Sequence, residues 1–238
     1  MEIIKFLKKA NKQFLPNLSI DLVIIGYQNN KLKCLLLQID EKWLLPGGYI
    51  RISESVDDAA IRILKERTGL DNPHLKFLSV FGNKDRQFKN EWKEFIKNNK
   101  LVWKDDYWIN NRFVTLTYYS LVNIAEIHPT PGIMDEAISW FDFDDLPEIW
   151  MDHKSILTEA RNRLKEDLKH EQLTYNLLPG KFTMPELHQL HQAILEEKLD
   201  RSRFQKKILS TGLFDRLPKK PKKNSPGQNP YQYRIKSD

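Results

Sequence analysis

The sequence predicts an α/β (α+β) domain followed by a small C-terminal domain of two helices and a ribbon. Three observations carry that expectation. Runs rich in Val, Ile and Leu are interrupted by one amphipathic helical stretch; two further amphipathic stretches with good capping residues lie beyond residue 180; and the charge changes abruptly near residue 200. Residues 201–238 carry eleven Lys or Arg against Asp215 and Asp238, a net +9, whereas residues 1–200 come to −3. A basic end on a mildly acidic body points to an anionic partner there, most simply nucleic acid.

Taken in order, MEIIKFLKKANKQFL reads as a short amphipathic helix: its lysines follow its apolar residues, and no small-residue cleavage site appears. The longest apolar runs, LVII at 22–25 and CLLL at 34–37, are far shorter than the roughly 20 residues that span a bilayer. Cys34 is the only cysteine, which excludes an intrachain disulfide and a cysteine-based zinc site and fits a reducing cytoplasm; in its apolar run it reads as a small buried residue. LSIDLVIIGYQ (18–28) and KLKCLLLQI (31–39) flank Asn29-Asn30 and form a hairpin. After a turn at Gly47-Gly48, with Ser53 ahead of it, Val56, Ala59, Ala60, Ile63 and Leu64 recur at helical spacing, and Gly69 closes the helix as its C-cap.

HLKFLSVFG (74–82), RFVTLTYYSLVNI (112–124) and EAISWFDF (136–143) read as strands, with a charged, aromatic insert at 83–111. From His153 to Lys169 the positions Ile156, Leu157, Ala160, Leu164 and Leu168 share one face, which predicts a long helix leaving the first domain. NLLPGKF (176–182) has linker character. Thr183 then caps a helix from Met184 to Glu197 with Pro185 in its first turn, and Asp200 caps RSRFQKKIL, with Phe204, Ile208 and Leu209 expected inward. GLFDRL (212–217) and YQYRI (231–235) make a two-stranded ribbon around a Lys-Pro-rich loop. The domain limits expected are 1–150, a connecting helix at 151–173, and 174–238.

GGYIRISESVDDAAIRILKERTGL (47–70) resembles the Nudix box, through Gly48, Glu54, Arg62, Leu64, Glu66, Gly69 and Leu70 at the box spacing. Active Nudix hydrolases hold divalent cations with three carboxylates on one helical face; the matching positions here are Ile63, Glu66 and Arg67. Spacings of i, i+3 and i+4 keep these side chains together, but one acid beside an arginine is a poor site for Mg²⁺, which takes oxygen ligands. No metal site, cofactor or catalytic residue is therefore expected. Glu66 is placed instead for an ion pair with Arg62, four residues earlier. His188 and His191 lack the acid or cysteine that would complete a metal site.

LPGKFTMPEL and LDRSRFQKKI, within residues 176–209, are similar to the C-terminal winged-helix domain of NrtR-type Nudix-related transcriptional regulators. Among these the chain looks most like the Bacteroidetes branch that includes arabinose-responsive regulators (AraR). The resemblance implies a Nudix fold that senses a small molecule, followed by a winged helix-turn-helix, in a cytoplasmic homodimer that binds a palindromic operator and no membrane. It implies DNA contacts by Arg201, Ser202, Arg203, Lys206 and Lys207 on a recognition helix, and by Lys219, Lys220, Lys222, Lys223 and Tyr231 on the wing. It also implies an effector site at Trp43, Gly47, Gly48, Asp85 and Arg86. The effector reads as a sugar or sugar derivative, in keeping with control of sugar utilisation, or as an ADP-ribose-like molecule, in keeping with control of NAD metabolism. The alternative is a hydrolase of ADP-ribose or a nucleotide sugar. In the insert, Trp92, Trp103, Tyr107 and Trp108 either pack against their own domain or stack on a sugar.

Overall fold

The structure is a computed structural model that describes residues 2–70, 74–132, 134–170, 176–219 and 229–236. A helix α1 (Glu2–Lys9) leads into β1 (Phe14–Gln28), which forms a hairpin with β2 (Lys31–Ile39). Asn29 and Asn30 both take positive φ, 54° and 61°. That pair of angles is the tight hairpin turn whose twist matches the strands, and Asn tolerates it well. Strands β3 (Lys42–Leu44), β4 (Gly47–Arg51), β5 (Leu75–Phe81), β6 (Val114–Leu121) and β7 (Ala137–Asp142) complete a mixed seven-stranded sheet. Its order is β3-β2-β1-β6-β5, with β4 added to β1 and β7 to β2; β1 and β6 run parallel.

Residues 20–25 are buried on both faces, so alternation along β1 divides them between two cores. Ile20, Leu22 and Ile24 meet Ala59, Ala60, Ile63 and Leu64 of α2 (Val56–Thr68). The helix is capped by Ser55, whose side chain accepts from the Asp58 amide, two residues beyond the serine read from the sequence, and ends at Gly69 with φ 77°. Val23 and Ile25 face the other way, against Ile156, Leu157, Ala160 and Leu164 of α4 (His153–His170). This helix packs on the sheet rather than leaving the domain. Cys34 lies in that second core, fully buried, where desolvation pushes its thiol up to about 12.

The second core does not stop at the Nudix-like sheet. Leu177, Leu178 and Phe182, from the stretch read as a linker, join it, together with Leu187, Leu190 and Ile194 of α5 (Met184–Leu195), Phe204 and Ile208 of α6 (Arg201–Ser210), and Tyr233. The C-terminal unit is thus docked through a shared core. Its sheet has three strands, not two: β8 (Phe182–Thr183) pairs with β10 (Tyr231–Ile235), which pairs with β9 (Phe214–Lys219). Two residues are too few to show periodicity, which hides β8 in the sequence. Leu209 is 41% exposed rather than inward, because Phe204 and Ile208 already supply the buried face of α6.

A third core lies on the remaining side. Leu7 and Ala10 pack with Trp92, Phe95 and Ile96 of α3 (Lys89–Asn98) and with Tyr107, Trp108 and Ile109. The insert at 83–111 is therefore a folded cap, joined to α1 by a cluster of aromatic rings.

Candidate effector cavity and nucleic-acid interface

A cavity of about 350 Å³ opens between the sheet, α2 and this cap, within the usual range for small-molecule sites. Its floor is Ser19 and Asp21 of β1 with Gly47, Gly48 and Tyr49 of β4. The two glycines open a strand rather than a turn. A Cβ on Gly47 would lie 2.6 Å from Asp21 Oδ1, and one on Gly48 would lie 2.9 Å from Ile63 Cδ1. Gly47 is kept bare by the Ile20 carbonyl as well, 2.7 Å away, and Gly48 by the close packing of the Ile63 side chain. Ile3 and Phe6 of α1 and Phe88, Trp92, Ile109 and Phe113 form much of the apolar wall.

The α2 side of the cavity carries Arg62, Ile63, Glu66 and Arg67. Arg62 donates to Glu54 at 2.6 and 2.9 Å and to the Tyr49 carbonyl at 2.9 Å, and it pairs with Glu66 at 3.2 Å. These bonds hold the Glu54 carboxyl below the usual carboxylate range. Arg51 also faces Glu66, at 3.6 Å. Arg67 is bound by Asp135, whose side chain is 3% exposed. Ile63 is buried. Glu54 and Glu66 thus both face arginines, and the adjoining cavity face holds a methyl-rich side chain and an arginine–aspartate pair.

Opposite lies a buried polar cluster. Arg86 pairs with Asp152 at 2.7 and 3.1 Å and with Asp21 at 3.4 Å. His153, the first residue of α4, accepts from the Leu45 amide through Nδ1 at 2.9 Å, which leaves Nε2, 3.8 Å from Asp21, as its N–H when neutral. Burial holds His153 below the ordinary imidazole range, against the opposing pull of Asp21 and Asp152. Tyr49 is pushed above the ordinary phenol range by burial and by Asp21.

Of the residues expected at the effector site, Gly47, Gly48 and Arg86 line the cavity. Trp43 and Asp85 do not. Trp43 packs edge-on against Phe141 with centroids 4.5 Å apart, and Asp85 is exposed. Trp92 lines the cavity, Tyr107 and Trp108 are buried in the cap, and the indole of Trp103 bonds to Asp105 at 3.2 Å. Sequence reasoning missed Phe6, Asp21, Tyr49 and His153. The signal available was Asp21 itself, a lone acid inside the apolar run LSIDLVIIG.

In the C-terminal unit, Thr183 and Glu186 form a reciprocal capping box on α5. Asp200 caps α6 by accepting from the Arg203 amide at 2.7 Å. Arg201, Ser202, Arg203, Lys206 and Lys207 are all exposed, on a helix anchored from behind by Phe204. The Phe204 ring lies edge-on to His188 and His191, at 5.0 and 4.9 Å. Both histidines are thus packing residues, and among the described residues no group of three or more His, Cys, Asp or Glu is arranged to hold a metal. Tyr231 on β10 lies under Arg216 and Lys219, at 4.4 and 5.2 Å, so the described part of the wing presents a stacked cationic surface. Lys220, Lys222 and Lys223 lie outside the described residues.

His191 is lowered to about 4 by burial, with Lys207 and His188 adding repulsion. An unfolded histidine titrates near 6.5, so below that pH the unfolded chain takes up the proton first. Stability is complete above about 6.5 and is lost progressively as the pH falls towards 4. Thermal melts between pH 7.5 and 4.5 should show this decline, and His191→Phe should flatten it. An unchanged slope in that variant would place the acid sensitivity elsewhere.

The NUDIX domain model matches residues 18–160, and the NrtR DNA-binding winged helix domain model matches residues 174–235. The chain belongs to the Nudix family and carries an NrtR-type winged helix. It is 24% identical over 209 residues to the ADPR responsive transcriptional repressor NtrR of Acinetobacter baylyi, covering 84% of this chain and 75% of that protein. It is 22% identical over 161 residues to an ADP-ribose pyrophosphatase of Methanocaldococcus jannaschii, covering 64% of this chain and 78% of that one. The crystal structure of Shewanella oneidensis NrtR complexed with a 27mer DNA has the same fold, with a TM-score of 0.70 at 24% identity over 92% of this chain and 93% of that chain. Among the described residues of this Nudix-family chain, no helix is long and apolar enough to cross a membrane.

Proposed function

We propose that this chain is a ligand-responsive, DNA-binding transcriptional regulator whose Nudix domain senses a small molecule without hydrolysing it. One observation carries the reading: the box residues Gly48, Arg62 and Glu66 line the cavity, but Ile63 and an Arg67–Asp135 pair stand at the two positions where the box resemblance puts cation ligands. The winged helix packed into the same core presents a basic recognition helix. A homodimer would place two such helices on a palindromic operator.

The first effector to test is ADP-ribose, because the Acinetobacter repressor responds to it. A second reading, a free sugar or simple derivative, as the AraR-like resemblance implies, is favoured by the cavity's aromatic wall. It is also favoured by the pairing of Arg62, Arg67 and Arg86 with carboxylates, which reduces what is left for a diphosphate. A calorimetric panel of ADP-ribose, pentoses and hexoses, followed by DNA-affinity measurements with any binder, distinguishes the two. Mg²⁺-dependent turnover of ADP-ribose or of a nucleotide sugar above about 1 s⁻¹, an ordinary enzymatic rate, would overturn the sensor reading.

Base reading and charge can be separated on the DNA side. With duplexes selected from a random library, Arg203→Ala should lower the preference for selected over random sequence by about 10- to 100-fold, the worth of one bidentate contact to guanine. Replacing Lys206 and Lys207 with Ala should weaken both duplexes alike and reduce the salt dependence by about one unit per lost phosphate contact. Equal losses on both duplexes for Arg203→Ala would mean that this position contacts only the backbone.

A further inference from the structure

We infer that helix α4 is the element through which the cavity sets the pose of the recognition helix, and that Glu196 is the positioning residue at its far end. The inference rests on the regulator reading above. At the cavity end, Asp152 and His153 open α4 and take part in the Arg86–Asp21 cluster, so anything bound against Arg86 or Asp21 acts on the start of this helix. Along its length, Ile156, Leu157, Ala160 and Leu164 lie in the core shared with α5 and α6.

Towards the far end, Arg161 at the middle of α4 and Lys165 one turn beyond it both pair with Glu196. Arg161 is held on its other side by Asp144 at 2.6 Å and by the Phe143 ring at 5.6 Å. Glu196 is the C-cap of α5 and takes the left-handed conformation, φ 58°. It begins the short turn that ends at Asp200, the N-cap of α6. A glutamate at φ 58° is a conformation that non-glycine residues rarely adopt. Two cations from α4 meet its carboxylate at the point where the chain enters the recognition helix.

Asp152 and Lys165 are thirteen positions apart in sequence, about 20 Å along a helix rising 1.5 Å per residue. Independent substitutions at that separation normally add. If α4 moves as one body, effects on DNA affinity at its two ends will not add.

The test is a double-mutant cycle in the full-length protein, read as affinity for a duplex selected by the wild type, with no effector needed. Asp152→Asn loosens the cavity end, and Glu196→Gln loosens the far end. Each should change affinity by about threefold or more, and the double variant should match one single variant rather than the product of both. Lys165→Met should reproduce the Glu196→Gln result with the backbone conformation at 196 untouched, and melting temperatures identify any variant that fails to fold. Multiplying effects, or no effect at either end, would overturn the role of α4. Absence of any DNA binding by the wild type would overturn the regulator reading instead.

Discussion

Arg86→Met should destabilise the protein by about 3–5 kcal/mol, the usual cost of removing one partner from a buried ion cluster. Arg86 is 6% exposed and faces two carboxylates, Asp21 and Asp152, with further contacts to the Phe113 carbonyl and to the Phe88 ring at 5.4 Å. Without it, Asp21 would be left beside a histidine that burial keeps below its ordinary range. The wild type itself should lose stability as the pH falls below about 6.5, through its lowered histidines. Urea unfolding at pH 7 and pH 5 measures both effects. A loss under about 1 kcal/mol, the scale of an exposed ion pair, would mean that water reaches the cluster and that it does not anchor α4.

The second large effect is expected from restoring the box. Ile63→Glu together with Arg67→Glu removes a buried side chain and the partner of Asp135. Without metal the double variant should lose at least about 3 kcal/mol, from the stranded Asp135 and the lost apolar burial. The two introduced carboxylates, with Glu66 and Asp135 close by, then offer a divalent cation the oxygen ligands it needs. Mg²⁺ at about 100 times its dissociation constant should return about 2.7 kcal/mol. Thermal shift and calorimetry with and without Mg²⁺ check this. An equal Mg²⁺ gain in the wild type would show that Glu54 and Glu66 bind a cation in spite of their arginines. If the variant shows no gain, the cavity face cannot assemble a metal site even with its acids restored.

The longer strands and helices in their order, and the caps Thr183, Asp200 and Gly69, were legible in the sequence because each depends on neighbours close along the chain. Asn29-Asn30 must turn, Thr183 with Glu186 must cap, and Gly69 must end its helix, whatever lies around them. The basic face of α6 was equally plain, since helical spacing sends Phe204 and Ile208 inward and Arg201, Arg203, Lys206 and Lys207 out. What depends on distant pairs was decided by the tertiary structure alone. No local pattern says that Arg67 will meet Asp135, 68 residues later, or that Arg86 will bridge Asp21 and Asp152. Nor does one say that α1 and the insert will fold together as a cap, which replaces Trp43 and Asp85 with Phe6 and Trp92 at the cavity. Apolar periodicity marks which face of α4 is buried but not what covers it. The shared core that buries Leu177, Leu178 and Phe182 of the linker-like stretch follows from packing complementarity between remote surfaces, which a one-dimensional pattern does not carry.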